Sequence, residues 1–143
     1  MSNQPEHLHR TQRPVHVAAI QMSCGWDADR NIAKAEELVR EAARRGAQII
    51  LLPELFEAPY FCIEQDVRHL RLARRVTENR AVLHFSAVAR ELGVVLPISF
   101  FEHAGQAYFN SIAIIDADGK NLGIYRKSHI PNGPGYQDRK SVV

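Results

Sequence analysis

The stretch Ala-Gln-Ile-Ile-Leu-Leu-Pro-Glu, residues 47–54, decides the predicted fold, because a continuous apolar run ends there at a proline and a carboxylate. A run of this length that ends at a proline favours a strand covered on both faces. Upstream, residues 27–46 carry capping residues at 27–31, apolar residues at helical spacing and a stop at Gly46, which predict a helix. Residues 15–20 are short, β-branched and apolar, and they predict a buried first strand. The chain therefore begins with a strand-helix-strand unit.

The pattern changes in the second half of the chain. Residues 79–92 carry an apolar stripe that ends at Gly93 and predict a second helix, with a strand over 94–100. Residues 108–115 are strand-like, 116–119 form a turn, and 121–125 begin another strand. Strands and helices alternate first and a hairpin follows, which predicts a single α/β domain with a mixed sheet flanked by helices.

Composition limits the class of protein. With 45% hydrophobic and 24% charged residues, the 143-residue chain fits one soluble globular domain. The net charge of +2 is scattered along the sequence, which argues against nucleic-acid binding because such proteins concentrate basic residues on one face. Residues 1–14 form a polar arm without a secretory signal, and no apolar run approaches the roughly 20 residues of a spanning helix. We therefore expect no membrane association.

The two cysteines, Cys24 and Cys62, lie far apart in the sequence. Neither stands in a CxxC or metal-ligand pattern, so the spacing indicates no disulfide framework and no zinc site. This use of cysteine is typical of a protein in the reducing cytoplasm.

Two charged residues follow predicted strands. Glu54 stands at the carboxyl end of the strand over 47–52, where α/β folds place their ligand crevices. Taken alone, it is better interpreted as a solvated loop carboxylate. Lys127 has the same ambiguity, since a lysine after a strand is usually an exposed charge unless it is paired or desolvated.

Three motifs, taken in order, resemble the nitrilase or carbon-nitrogen hydrolase superfamily. They are Ala-Ala-Ile-Gln-Met at 18–22, Leu-Leu-Pro-Glu-Leu-Phe at 51–56 and Tyr-Arg-Lys-Ser-His-Ile-Pro at 125–131, and the resemblance covers residues 15–137. Residues 54–62 and 127–131 look like the N-carbamoylputrescine amidase branch, although neighbouring amidases share most of these residues. The resemblance implies a four-layer α-β-β-α sandwich, present here only in its N-terminal part, from a protein that usually forms homo-oligomers.

The resemblance also implies a mechanism without metal or organic cofactor. A cysteine thiolate attacks the substrate carbon, Glu54 transfers protons, and Lys127 stabilises the oxyanion. We therefore expect Glu54 and Lys127 to converge in a cleft. The implied substrate is a small carbamoyl amine or amide, foremost N-carbamoylputrescine, which is converted to putrescine, carbon dioxide and ammonia in polyamine synthesis.

The nucleophile is missing from this arrangement. In the family it lies in a Gly-x-x-x-Cys-type turn beyond the lysine, and this sequence stops before such a motif. Cys24 and Cys62 stand in other motifs, and Cys62 is interpreted as a small pocket or packing residue. We expect an N-terminal fragment that is inactive alone. The alternatives are a non-catalytic fragment or association-only subunit, or another superfamily amidase such as a β-ureidopropionase-like or aliphatic amidase.

Other residues are secondary candidates. Tyr60 and Phe61 are candidates for lining the substrate pocket, although aromatic residues near a strand end more often belong to the core. Asn110 and His129 are candidates for supporting Lys127 through hydrogen bonds, and a turn role is an equal alternative for each. Glu57 is a candidate for attracting a cationic substrate amine.

The C-terminal residues depart from the family pattern. Asp138 stands where related sequences carry a glutamate, and residues 138–143 are the translation of GAT CGG AAG AGC GTC GTG, which matches a common sequencing adapter. We interpret 1–14 as an arm, 15–137 as a partial hydrolase domain and 138–143 as a foreign tail. A partial sandwich exposes strand edges and one sheet face, so poor solubility is predicted.

Overall fold

The computed structural model describes residues 13–64 and 66–130; most of the predicted arm and the whole predicted tail lie outside these residues. The described elements confirm an α/β fold with parallel and antiparallel strand pairs. In chain order they are β1 (Val17–Ala19), α1 (Ala28–Arg44), β2 (Ile49–Leu51), two 3₁₀ helices (Phe61–Ile63 and Val67–Leu72), α2 (Arg80–Leu92), β3 (Leu96–Ala104), β4 (Ala107–Ile115) and β5 (Asn121–Arg126).

Both helices begin and end where their capping residues predict. The Asp27 carboxylate accepts the Arg30 N–H at 3.1 Å, and the Asn79 side chain accepts the Val82 N–H at 2.9 Å, so each satisfies an amide that has no partner within its helix. Gly93 ends α2 in the left-handed conformation with φ +65°. In the part of the chain described, no helix is both long and apolar enough to cross a membrane.

The strands form two sheets that meet at one point. β1 and β2 are parallel, whereas β3, β4 and β5 form an antiparallel meander. Val95, just before β3, joins the two sheets: its carbonyl accepts the Ile50 N–H at 3.0 Å and its N–H donates to the Gln48 carbonyl at 2.8 Å. The strand order β1-β2-β3-β4-β5 therefore forms one mixed surface.

Both helices pack on the same face of this surface. Ile50, Phe85 and Phe100 are fully buried between α1, α2 and the strands. The opposite face is open among the described residues, where Val17 is 70% and Leu51 46% exposed. The predictions of a buried first strand and of a second strand covered on both faces are therefore wrong for this part of the chain, because α1 and α2 cover one face only. We name the uncovered side the open face.

A smaller apolar cluster lies beneath the loop that follows β2. Phe61 and Phe101 are its aromatic members, with ring centroids 5.2 Å apart. Leu55, Ala58, Cys62 and Ala73 complete the cluster. It anchors the segment that connects β2 to α2.

Candidate active site

Glu54 lies three residues beyond β2, at the start of a constrained turn. The next residue, Leu55, has φ +52° and a buried side chain. A leucine in this left-handed region costs on the order of 1–2 kcal/mol, so its surroundings must hold it there. The Leu55 N–H donates to the Ser99 hydroxyl of β3 at 3.0 Å, and its side chain packs in the cluster with Phe101. These contacts fix the backbone from which the Glu54 side chain extends.

Lys127 reaches the same place from the end of β5. Its backbone N–H donates to the Asn110 carbonyl at 2.9 Å, which continues the pairing of β5 with β4 by one residue. The Lys127 ammonium donates to Glu54 Oε1 at 2.9 Å, and the Asn110 side-chain amide donates to the same oxygen at 2.6 Å. Residues far apart in sequence thus meet at a single carboxylate oxygen.

This cluster opens into a shallow cavity of about 240 Å³ on the open face. The side chains of Glu54 and Lys127 are 43% and 35% exposed, so a small molecule can reach both. Besides Glu54, Asn110 and Lys127, the lining residues are mostly apolar: Leu51, Leu52, Ser99, Ser111, Ile112 and Tyr125. A polar cluster at one side of an apolar surface is the usual arrangement of a small-molecule site.

The other predicted residues lie elsewhere. Phe61 is buried in the cluster beneath the loop, and Tyr60 before it is 37% exposed; the residues that line the cavity beside Glu54 include neither of them. His129 is exposed, two residues beyond Lys127. The structure therefore brings Glu54, Asn110 and Lys127 together, and the binding roles of Tyr60, Phe61 and His129 stay predictions.

Glu57 faces a different neighbourhood. Its carboxylate accepts the Asn79 side-chain N–H at 2.7 Å, at the beginning of α2. Burial raises its pKa, against the opposing effect of the hydrogen bonds from Asn79 and the Ala81 backbone. It contributes to a separate cavity with Trp26 and Arg74. Its visible role is to tie the loop of Glu54 to α2.

A second glutamate-cation pair lies on the helix-facing side of the same strands and was missed from the sequence. Glu102 of β3 is 3% exposed and accepts two hydrogen bonds from Arg126, both at 2.8 Å, and one from the Ser111 hydroxyl at 2.7 Å. The available signal was a lone carboxylate within the apolar run of residues 96–104. A buried charge of this kind requires a partner.

The cysteines and acidic residues form no further reactive cluster in the described part of the chain. Cys62 is buried. Burial also raises the pKa of the half-buried Cys24 thiol, and this effect outweighs the positive charge of Lys34, which lowers the same pKa. Within residues 13–64 and 66–130, no group of three or more His, Cys, Asp or Glu side chains is arranged to hold a metal ion.

Comparison with known proteins places these features in context. Residues 16–142 match the family model of the carbon-nitrogen hydrolases. The chain is 52% identical to N-carbamoylputrescine amidase of Arabidopsis thaliana over 90% of the chain and 43% of that protein, and 45% identical to citrullinase of Francisella tularensis over 87% and 44%. A carbon-nitrogen hydrolase from Helicobacter pylori has a TM-score of 0.82 at 27% identity, covering 90% of this chain and 44% of that one. The chain thus spans less than half the length of these relatives.

Proposed function

The chain belongs to the carbon-nitrogen hydrolase family, and from that premise we propose that the protein containing it is an amidohydrolase that cleaves a non-peptide carbon-nitrogen bond. The observation that carries the proposal is the meeting of Glu54, Lys127 and Asn110 at one carboxylate oxygen beside an open cavity. A carboxylate and an ammonium at hydrogen-bond distance provide a proton carrier and a fixed positive charge, which hydrolysis of an amide requires.

In this proposal Glu54 is the general base and acid. Both hydrogen bonds described for its carboxylate fall on Oε1, which leaves Oε2 as the oxygen that exchanges a proton. The Asn110 amide holds the orientation of the carboxylate without carrying charge. The positive charge of the Lys127 ammonium stabilises the oxygen of the substrate carbonyl, where negative charge develops in the transition state.

The nucleophile is assigned by family resemblance to a cysteine beyond the described residues. Its thiolate attacks the carbonyl carbon of the substrate, and Glu54 passes the thiol proton to the departing ammonia. The enzyme-bound thiocarbamate is then hydrolysed by water to a carbamate, which separates into amine and carbon dioxide. Cys62 does not fit this role, because it is buried in the apolar cluster beneath the loop.

For the substrate we propose a terminal ureido group on a short alkyl chain, with N-carbamoylputrescine first. Four plant N-carbamoylputrescine amidases are 50–52% identical to the chain. Citrulline is the second candidate, because the 45% identical relative is a citrullinase and citrulline carries the same ureido group. The two molecules differ in the α-carboxylate of citrulline.

The test is ammonia release from N-carbamoylputrescine and from citrulline. It compares this chain with a version extended along its natural reading frame, and Glu54→Gln with Glu37→Gln, a matched change at an exposed position of α1. We expect the extended protein to act on a ureido substrate, Glu54→Gln to lower the rate of ammonia release by about 10²–10⁴, and Glu37→Gln to retain it. An extended, folded protein that is inert on both substrates but cleaves another amide contradicts the substrate class and leaves the family assignment in place.

Compartment and assembly are part of the same proposal. We assign the protein to the reducing cytoplasm, where free thiols such as Cys24 and Cys62 persist. We further propose a homo-oligomer for the longer protein, and the support for it is the family resemblance.

A further inference from the structure

Two consecutive residues at the end of β5 reach opposite faces of the sheet. Lys127 extends to the open face and pairs with Glu54, whereas Arg126 extends to the helix-facing side and pairs with Glu102. Alternation of this kind is a property of extended chain, in which successive side chains point to opposite sides. Whatever fixes Arg126 therefore also limits where Lys127 points.

Arg126 is held unusually firmly for a residue of an exposed strand. Its guanidinium donates two parallel hydrogen bonds to the Glu102 carboxylate and lies over the Phe109 ring, 4.3 Å from the centroid. The hydrogen bonds from Arg126, followed by that from Ser111, lower the pKa of Glu102, and the same contact raises the pKa of Arg126. The pair thus spans all three strands of the meander.

β5 has few other anchors in the described chain. All of its residues are exposed, it lies at the edge of the meander, and its ladder with β4 is irregular between Ile114 and Ile115. Edge strands with little buried surface open more easily than central ones. The link from Arg126 across β4 to buried Glu102 therefore restrains this end of the strand on the side opposite to the Lys127–Glu54 contact.

We propose that Arg126, through its paired hydrogen bonds to Glu102, is a positioning residue that holds the end of β5 so that the Lys127 ammonium stays at Glu54. The Ser111 hydroxyl donates a third hydrogen bond to the Glu102 carboxylate and helps to hold it in place. The inference rests on the proposed function only in assigning a catalytic role to Lys127. The restraint on the strand stands on geometry alone.

The discriminating variant is Arg126→Lys, which keeps the positive charge but removes the planar guanidinium group that makes two parallel hydrogen bonds to Glu102. Its matched control is Arg40→Lys, because Arg40 makes the same two-pronged contact with Glu91 at 2.7 Å on the exposed helix surface, away from the site. Glu102→Gln is the second variant and removes the charge while keeping the shape. Together they separate an effect at this position from the general cost of losing an arginine contact.

The first readout is deuterium uptake of the chain, followed by mass spectrometry at micromolar concentration. Peptides over residues 121–130 report the end of β5, and peptides over 45–52 report the core. We expect Arg126→Lys to accelerate exchange at 121–130 roughly tenfold, the factor associated with one lost charge-assisted hydrogen bond, with 45–52 unchanged. Arg40→Lys should change neither peptide. Equal uptake in wild type and Arg126→Lys overturns the proposal.

The second readout is the kinetics of the extended protein at a temperature where every variant is folded. We expect kcat to fall roughly tenfold in Arg126→Lys and in Glu102→Gln with KM nearly constant, since displacement of Lys127 removes stabilisation made in the transition state. Faster exchange with unaltered kcat overturns the positioning role. If the wild-type extended protein has no activity, the proposed function fails, while the exchange experiment still decides whether Arg126 restrains the strand.

Discussion

Glu54 and Glu102 are chemically identical residues that lie on opposite sides of the mixed strand surface and have opposite surroundings. The Glu54 side chain is 43% exposed and meets a lysine at 2.9 Å, whereas the Glu102 side chain is 4% exposed and meets an arginine through two bonds at 2.8 Å. Burial and a planar partner make the second pair rigid. The pair of Glu54 and Lys127 can interact with a substrate, because both side chains are accessible to solvent and the lysine ammonium can rotate.

The energetic consequences of the two pairs differ accordingly. An exposed ion pair such as Glu54–Lys127 contributes about 0–1 kcal/mol to stability. Removing one partner of a buried pair costs about 3–5 kcal/mol, because the remaining charge loses its compensation in a dry environment. Changes on the open face should therefore affect activity without stability, and changes on the helix-facing side should affect stability first.

The largest expected effect is on catalysis at the open face. Lys127→Ala in the extended protein should lower kcat by about 10²–10³, the usual result of removing an oxyanion donor. The melting temperature should change little, because the lysine is solvated. Lys120→Ala, at an exposed lysine in the β4–β5 turn, is the control and should retain full activity. Substantial turnover by Lys127→Ala would remove Lys127 from the mechanism.

The next effect is on stability at the helix-facing side. Arg126→Met should lower the free energy of unfolding by about 2 kcal/mol, less than the full value for a buried pair because Arg126 is itself 47% exposed. Arg40→Met, which cuts an exposed pair, should cost less than about 1 kcal/mol. Equilibrium urea unfolding measures both. Equal losses would mean that the Glu102 pair is no stronger than a surface contact.

The pH dependence of the melting temperature tests the ion pair of Glu102 and Arg126 in a second way. Arg126 holds the pKa of Glu102 below its usual value, so the carboxylate stabilises the fold above its unfolded pKa of roughly 4.3. That contribution is lost as pH falls through the lower, folded pKa. Wild type should therefore exceed Glu102→Gln in melting temperature at pH 6, and the difference should shrink as the pH is lowered below about 4.3. A difference that is constant over this range would contradict the assigned ion pair.

The smallest expected effect concerns the support of Glu54. Ser99→Ala removes the acceptor of the Leu55 N–H and should cost about 1 kcal/mol in urea unfolding, since it leaves a buried donor without its bond. Ser86→Ala is the control, because that hydroxyl donates to the Val82 carbonyl within α2 and its loss should cost about a few tenths of a kcal/mol. Equal costs for the two variants would mean that the turn after Glu54 does not depend on Ser99.

The helices were predictable because their ends are encoded locally. Asp27 and Asn79 each bond an amide three residues away, and Gly93 adopts the left-handed conformation that it tolerates better than other residues. Strand burial was not predictable, because it depends on which distant elements cover each face. Val17 and Leu51 have the composition of covered strands and yet lie on the open face.

The residues of the site likewise fall into those that could be identified from the sequence and those that could not. Glu54 and Lys127 were identified because motifs around them resemble a known family, and not because any local pattern connects positions so far apart. Arg126 lies in the 125–131 motif, but Glu102 lies in none of the three motifs, and their pairing depends on strand register, which brings Arg126 opposite Ser111 and Glu102 opposite Phe109. The positive φ of Leu55 was equally hidden, since leucine gives no signal for that conformation.

The most direct test of the contrast between the two faces is the same substitution at both glutamates, with kcat and melting temperature measured side by side in the extended protein. Glu54→Gln should lose activity by about 10²–10⁴ and keep the wild-type melting temperature. Glu102→Gln should lower the melting temperature by several degrees, on the order of a 1–2 kcal/mol loss, and keep measurable turnover. If both variants lose stability together, or if Glu54→Gln remains active, the assignment of a reactive pair to the open face is contradicted.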